Sequence, residues 1–204
     1  MRSAVAAALA ACLLLAPAAR ARPVRAPEPP EHPRVRLETE LGAIELELDR
    51  ARAPRTTANF LRYVEAGRYD GGRFHRTVRA DNQPDDRVRI AVVQAGVDPA
   101  KEAEDFPPIA LERTRDTGLR HRAGTLSMAR ARPDTATSDF FVCLDDEPEL
   151  DSGGRRNPDG QGFAAFGRVI AGMDVVRRIH ASPAKGQALD PPVRILRARL
   201  MGTR

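Results

Sequence analysis

Residues 138 to 144 read SDFFVCL, and the adjacent Phe140 and Phe141 set the first chemical constraint. A short run this rich in aromatic and β-branched residues is expected to be a strand, whose neighbouring side chains leave opposite faces of a sheet. One phenylalanine can enter a core, and the other needs a second apolar environment. The residues that ordinarily break bonds are poorly placed to do so. His32, His75, His121 and His180 show no metal-ligand spacing, so all four are read as non-ligands, with no metal and no cofactor expected. Ser127 and Ser138 lack the strand-turn-helix setting of a nucleophilic serine. Asp145, Asp146 and Glu147 are adjacent in a turn, which reads as solvated rather than as a hydrolytic pair. Cys143, inside an apolar strand, reads as a small buried hydrophobe. Taken singly, Arg76 reads as a surface ion-pair partner, Gln94 as a strand-end polar residue and Phe141 as a second-core aromatic.

The elements that must position these side chains follow from hydrophobic period. VRLETELGAIELELD alternates on both sides of Leu41-Gly42, with Val35, Leu37, Ile44, Leu46 and Leu48 facing one way, the pattern of a half-buried hairpin. APRTTANFLRYVEAG predicts a helix of about three turns. Pro54 stands in its first turn, Ala58, Leu61 and Val64 form its stripe, and Gly67 supplies the stop. RFHRTV and RIAVVQAG read as strands separated by a polar loop containing Pro84, and His75 should face away from Arg76 on such a strand. GTLSMAR, SDFFVCL and FAAFGRVI add short strands. GMDVVRRIHAS carries a second helical stripe in Met173, Val176 and Ile179. PPVRILRARL closes the chain as a strand with Val193 and Ile195 inward and Leu196 as a further inward candidate. Many short strands with two helices, and no strand-helix alternation, argue for a mainly β fold: an antiparallel sheet closed on itself with helices covering its openings.

A chain of 204 residues with a net charge of +5 suits one folded domain. The positive charge is almost all arginine, scattered among Asp and Glu rather than massed, so nucleic-acid binding is not expected. Residues 1–21 have a basic residue, an apolar run and small residues up to Ala21, the layout of a secretory signal peptide rather than a stable membrane span. The expected location is therefore the periplasm or the exterior. Leu9 to Cys12 also resembles a lipoprotein processing site, against which the apolar run continues through Leu15. Cleavage after Ala21 leaves Cys143 as the remaining cysteine and permits no internal disulfide. Residues 22–34, with five prolines, read as an extended linker, and residues 35–204 as the domain, expected to be a monomer.

The order of segments resembles the cyclophilins, which are peptidyl-prolyl cis-trans isomerases. Four blocks carry the likeness: APRTTANFLRYVEAGRYDGGRFHR, VVQAG, AGTLSMARARPDTATSDFFVCL and GFAAFGRVIAGMDVV. The resemblance implies a closed eight-stranded antiparallel barrel capped by two helices, and proline-containing polypeptides as partners. It also implies the site. Arg76 falls on the catalytic arginine, Gln94 on the substrate-anchoring glutamine, and Phe141 on the aromatic floor of the proline pocket. Ala129, Arg130 and Ala131 fall on an edge strand that pairs with substrate backbone, while Val92, Asp139, Leu150 and Phe163 fall around the groove. Phe140, Val142 and Leu144 then point into the barrel. A proline-binding module without catalysis, built on the same barrel, is the alternative that the blocks leave open.

Several positions depart from the family pattern. The connection between Arg76 and Gln94 is longer by roughly ten residues, a segment that could screen substrates or be a tolerated surface insertion. Ala91 and Val92 stand where bulkier pocket residues are common, and Asp139 replaces a usual glutamine. Glu149 takes a rim position often held by tryptophan or another aromatic, and Phe163 one often held by histidine. Since cyclosporin-type binding in the family leans on that tryptophan, weak inhibition is expected.

Overall fold

The computed structural model describes residues 31–84 and 86–202. The expected signal segment 1–21 with Cys12, and residues 22–30 of the expected linker, lie outside the described residues. The end of that linker is already tied to the fold: Leu48 N donates to Pro33 O at 2.9 Å and Arg50 N to Glu31 O at 2.9 Å.

The alternating start of the domain forms the hairpin β1 (Arg34–Thr39) and β2 (Gly42–Leu48), with Val35 opposite Leu46 and Leu37 opposite Ile44. Gly42 turns it with φ +130°, a conformation that side chains disfavour. Helix α1 (Pro54–Glu65) follows, then β3 (Arg73–Val78), β4 (Val92–Gly96), the four-residue α2 (Thr114–Thr117), β5 (Thr125–Met128) and β6 (Phe140–Cys143). The chain ends with β7 (Ala164–Ala171), α3 (Met173–His180), the two-residue β8 (Ala184–Lys185) and β9 (Ala188–Leu200). Strands are hydrogen-bonded in the order β1-β2-β7-β5-β6-β4-β3-β9, and β9 pairs back with β1, so eight antiparallel strands close a barrel and β8 hangs from β9 as a short hairpin. Closure removes free sheet edges. α1 packs on β7 and β9, and α3 on β2, β3 and β4. Beyond the two expected helices the structure adds α2, too short to show a period in sequence. Among the described residues no helix is long and apolar enough to cross a membrane.

The α1 stripe differs from expectation by one position. Ala58 is exposed, and the face turned inward carries Thr57, Phe60, Leu61 and Val64. Burying Phe60 fixes the helix's rotation, because its ring meets those of Tyr69, Phe140 and Phe166 at centroid distances of 5.2–5.3 Å. On β9, Val193, Ile195 and Ala198 point inward while Leu196 is about half exposed. The register with β1 jumps from Arg197 opposite Glu38 to Ile195 opposite Thr39, so Leu196 is the extra residue of a bulge and is thrown outward.

Two apolar clusters result. The larger fills the barrel. The smaller, comprising Val78, Ile90, Val92, Phe141, Cys143 and Leu150, lies against the outer face of β3, β4 and β6 beneath the flanking loops.

Candidate active site

The outer face of the sheet carries one lateral row of side chains. Arg76 on β3 is in register with Gln94 on β4, Gln94 with Phe141 on β6, and Phe141 with Ser127 on β5. Phe140 faces the other way into the barrel, fully buried, and Leu144 and Val142 join it there. The second apolar environment that the Phe140–Phe141 pair demanded is therefore the smaller cluster. Above the row lies a cavity of about 560 Å³, and Arg76, Gln94, Phe141, Val92, Ala129, Arg130, Ala131, Asp139, Leu150 and Phe163 all line it.

Arg76 reaches the cavity because β3 is bulged. Phe74 pairs with Ala95 and Arg76 with Gln94, which leaves His75 as the extra residue. Phe74 and Thr77 turn inward and are fully buried, while His75 and Arg76 both face outward. The expectation that His75 faces away from Arg76 is thus corrected, since the bulge cancels strict alternation. His75 Nε2 lies 3.1 Å from Asp139 Oδ2, which also accepts a 2.7 Å hydrogen bond from Gln94 Nε2. Gln94 Oε1 in turn accepts one from Arg76 Nη1 at 3.0 Å. With an obligate donor on one side and an obligate acceptor on the other, the glutamine amide has one orientation, and it keeps one N–H for a ligand. Gly96 makes room for this arrangement, because a side chain there would collide with the Asp139 carboxylate. Burial, helped by the nearby Arg156 guanidinium and opposed by Asp86, pushes Arg76 down from the ordinary arginine range.

Phe141 is held from two sides. Phe163 meets it edge-on at 5.3 Å, and the His121 ring stacks behind it at 6.0 Å with an interplanar angle of 14°. His121 Nδ1 is 2.8 Å from Asp151 Oδ1, and its Nε2 is 2.9 Å from Ser127 Oγ. Asp151, His121 and Ser127 are therefore connected in the order of a hydrolytic triad, yet His121 is 1 % and Ser127 0 % exposed. A nucleophile must reach its substrate. This group braces the floor instead. Burial alone would push the Asp151 carboxyl up, but the hydrogen bonds and charge of His121 outweigh it and hold the group below the usual carboxylate range.

Residues 129–131 do not continue an edge strand. β5 stops at Met128, Ala129 N donates to Asp139 O at 2.9 Å, and the chain leaves as an irregular segment. The Arg130 side chain is 1 % exposed, paired with Asp159 at 2.7 Å and donating from Nε to Gly162 O at 2.9 Å. It braces the loop under Phe163, whose ring its guanidinium overlies at 5.2 Å. Sequence reasoning missed Ile90, Asp86 and Arg156, which also line the cavity. Ile90 supplies a wall beside Val92, whereas Ala91 packs toward the barrel cluster and donates its N–H to Glu147 Oε1. Arg156 pairs with Asp86 at 2.9 Å and donates to Val88 O at 2.7 Å, pinning the long connection to the rim. Ile90 stands two residues before Val92 in RIAVVQAG, and that period-two spacing was the signal that could have found it, whereas Asp86 and Arg156 lie in polar loops that carry no period. Cys143 is free and fully buried, and burial pushes its thiol well above the ordinary range.

Residues 34–200 match the family model described as cyclophilin type peptidyl-prolyl cis-trans isomerase/CLD. A peptidyl-prolyl cis-trans isomerase of Streptomyces antibioticus, cyp18, is 36% identical over 175 residues, covering 82% of this chain and 98% of its own. Peptidyl-prolyl cis-trans isomerase A of Dickeya dadantii is 39% identical over 148 residues, covering 71% and 70%. Among solved structures, a cyclophilin type peptidyl-prolyl cis-trans isomerase of Cryptosporidium parvum, determined in the presence of the dipeptide Ala-Pro, superimposes with a TM-score of 0.66 at 23% identity, covering 83% of this chain and 99% of that one.

Proposed function

Because the chain belongs to the cyclophilin-type peptidyl-prolyl cis-trans isomerase family, we propose that its cavity takes Xaa-Pro segments of exported polypeptides, turns their peptide bond and so assists their folding. The reaction breaks no bond. It must twist an amide against a barrier of about 18–20 kcal/mol, and the twist returns a lone pair to the prolyl nitrogen. A donor aimed at that nitrogen is bonded mainly in the twisted state, which lowers the barrier by differential binding. Arg76 is that donor, a rigid and permanently charged fork. The free N–H of Gln94 holds the carbonyl before the proline, Phe141 with Val92, Leu150 and Phe163 receives the ring, and the backbone of Ala129 to Ala131 lies along the peptide.

Magnitudes show that the arginine does not suffice. A charged hydrogen bond is worth about 1.5–3 kcal/mol, whereas a ten-thousand-fold acceleration needs about 5.5 kcal/mol. Fixing the ring and carbonyl in place and excluding water supply the remainder. The observation that carries this reading is the register itself, which sets a cation, an amide donor and an aromatic floor side by side on adjacent strands. The test is exchange of an Xaa-Pro peptide followed by NMR with the purified domain and with Arg76→Ala. The variant is expected to lose about ten- to hundred-fold in kcat. A wild-type domain that binds the peptide yet leaves its spontaneous rate unchanged would establish the binding-only alternative.

The layout of residues 1–21 supports export. The mass of the mature protein tests it: a chain starting at Arg22 is expected, a lipid-modified Cys12 would indicate anchoring, and an unprocessed Met1 would overturn export.

A further inference from the structure

We infer that Gln187, in the turn between β8 and β9, is a positioning residue for isomerisation: its side-chain oxygen fixes one edge of the Arg76 guanidinium without cancelling the charge. The inference rests on Arg76 being the donor, as proposed above. Arg76 donates from Nε and Nη2 to Gln187 Oε1 at 2.9 and 2.6 Å, and from Nη1 to Gln94 Oε1 at 3.0 Å. A guanidinium has five N–H groups. Three are thereby committed, and one on each terminal nitrogen is left for the turning bond. An arginine side chain held only by its Gln94 contact could rotate about Nε and lose its aim. Held at the Nε edge as well, it has one orientation.

Gln187 is itself fixed. Its Nε2 donates to Asn82 O at 3.2 Å, and its backbone oxygen accepts from Thr77 N at 2.9 Å. Asn82 Nδ2 closes the circuit by donating to Thr77 O at 2.9 Å and Gly186 O at 3.0 Å. The long connection after β3 therefore anchors the β8–β9 turn on the residue that follows Arg76. The acceptor's neutrality matters as much as its place. Glu or Asp would satisfy the same two donors while offsetting the cation, and the guanidinium would stabilise a developing lone pair less. Among the described residues no carboxylate pairs with Arg76, although most other arginines near the rim have one.

The test measures kcat and KM for Xaa-Pro exchange in wild type, Gln187→Ala, Gln187→Glu, Arg76→Ala and the double variant Arg76→Ala/Gln187→Ala, each checked for folding by thermal melting. Gln187→Ala is expected to lower kcat about ten-fold and leave KM within about two-fold. In the Arg76→Ala background the same change is expected to cost nothing further, because Gln187 acts through the guanidinium. Gln187→Glu, of the same shape, keeps the acceptor for Arg76 but loses the Nε2 bond to Asn82 O, so it is expected to lower kcat while staying folded with a modestly lower melting temperature. Wild-type kcat in either single variant, or the same fold-loss in both backgrounds, overturns the inference. Should Gln187→Ala fail to fold, Gln187→Glu decides. An inactive wild type removes the functional reading itself, whereas an active one crippled by Arg76→Ala but indifferent to Gln187 removes this inference alone.

Discussion

At the scale of single residues, the site is defined by what each polar group has left over after its internal bonds are made. Gln94 keeps one N–H, Arg76 keeps two, and Asp139 meets both His75 and Gln94 through the single oxygen Oδ2. The rim follows the same accounting. The chain has no tryptophan, and the position where the family often places one carries Glu149. Its carboxylate is committed to Arg155, accepting from the backbone N at 2.8 Å and from Nη2 at 2.8 Å. Neither an indole surface nor a free donor remains there for a large apolar macrocycle. Cyclosporin is therefore expected to inhibit no more tightly than about micromolar, measured against the same exchange assay, and a submicromolar constant would contradict this. The ten site residues were legible as a set only through the ordered sequence blocks, because each alone fits a blander role. Gln187 was not legible at all: it lies more than a hundred residues from Arg76, in a two-residue hairpin without alternation, and only the folded register brings the two together.

At the scale of elements, period-2 and helical patterns located the eight barrel strands, α1 and α3, but not the bulges between them. A bulge inserts one residue with no compositional mark. That is why His75 and Leu196 came out on the wrong face while Phe140 and Phe141, on a regular strand, came out right. Remote capping was equally hidden. Ala53 precedes α1 without a capping side chain, and Glu112 substitutes from 57 residues away, accepting from Arg55 N at 3.1 Å, Thr56 N at 2.8 Å and Thr56 Oγ1 at 2.7 Å. Glu112→Ala should cost about 1 kcal/mol in urea unfolding, with Glu112→Gln recovering part of it, and no loss in the alanine variant would show the helix start to be held otherwise. The Asp151–His121 pair links the 3-10 turn Pro148–Leu150 to β5 behind the aromatic floor. The folded Asp151 carboxyl sits below its unfolded value, so the stability it adds is complete above the unfolded range and is lost as pH falls through the lowered folded one. Between about pH 5 and 2 the wild-type melting temperature is expected to fall more steeply than that of Asp151→Asn. Parallel profiles would mean that the pair contributes nothing to the pH dependence.

At the scale of the whole molecule, the barrel and the cavity have separate cores and hence separate stabilities. The closed sheet and α1 share the large cluster, whereas the cavity floor rests on only six buried side chains pressed between strand faces and two loops. Each such side chain contributes about 1.5–3 kcal/mol, so the outer layer is weak beside the barrel. It should open without unfolding the sheet beneath it. Cys143 reports on this opening, because its thiol belongs to the outer cluster and is wholly buried. A thiol reagent can react only when the layer lifts, so labelling measured across a urea series separates the two events. At low urea the opening free energy of Cys143 is expected to change little with denaturant, then to join the steep global line near the unfolding midpoint. A slope equal to the global one down to zero urea would mean that cavity and barrel open as one unit. In that case the substrate groove could not adjust without straining the closed sheet, and its shape would be as rigid as the barrel that carries it.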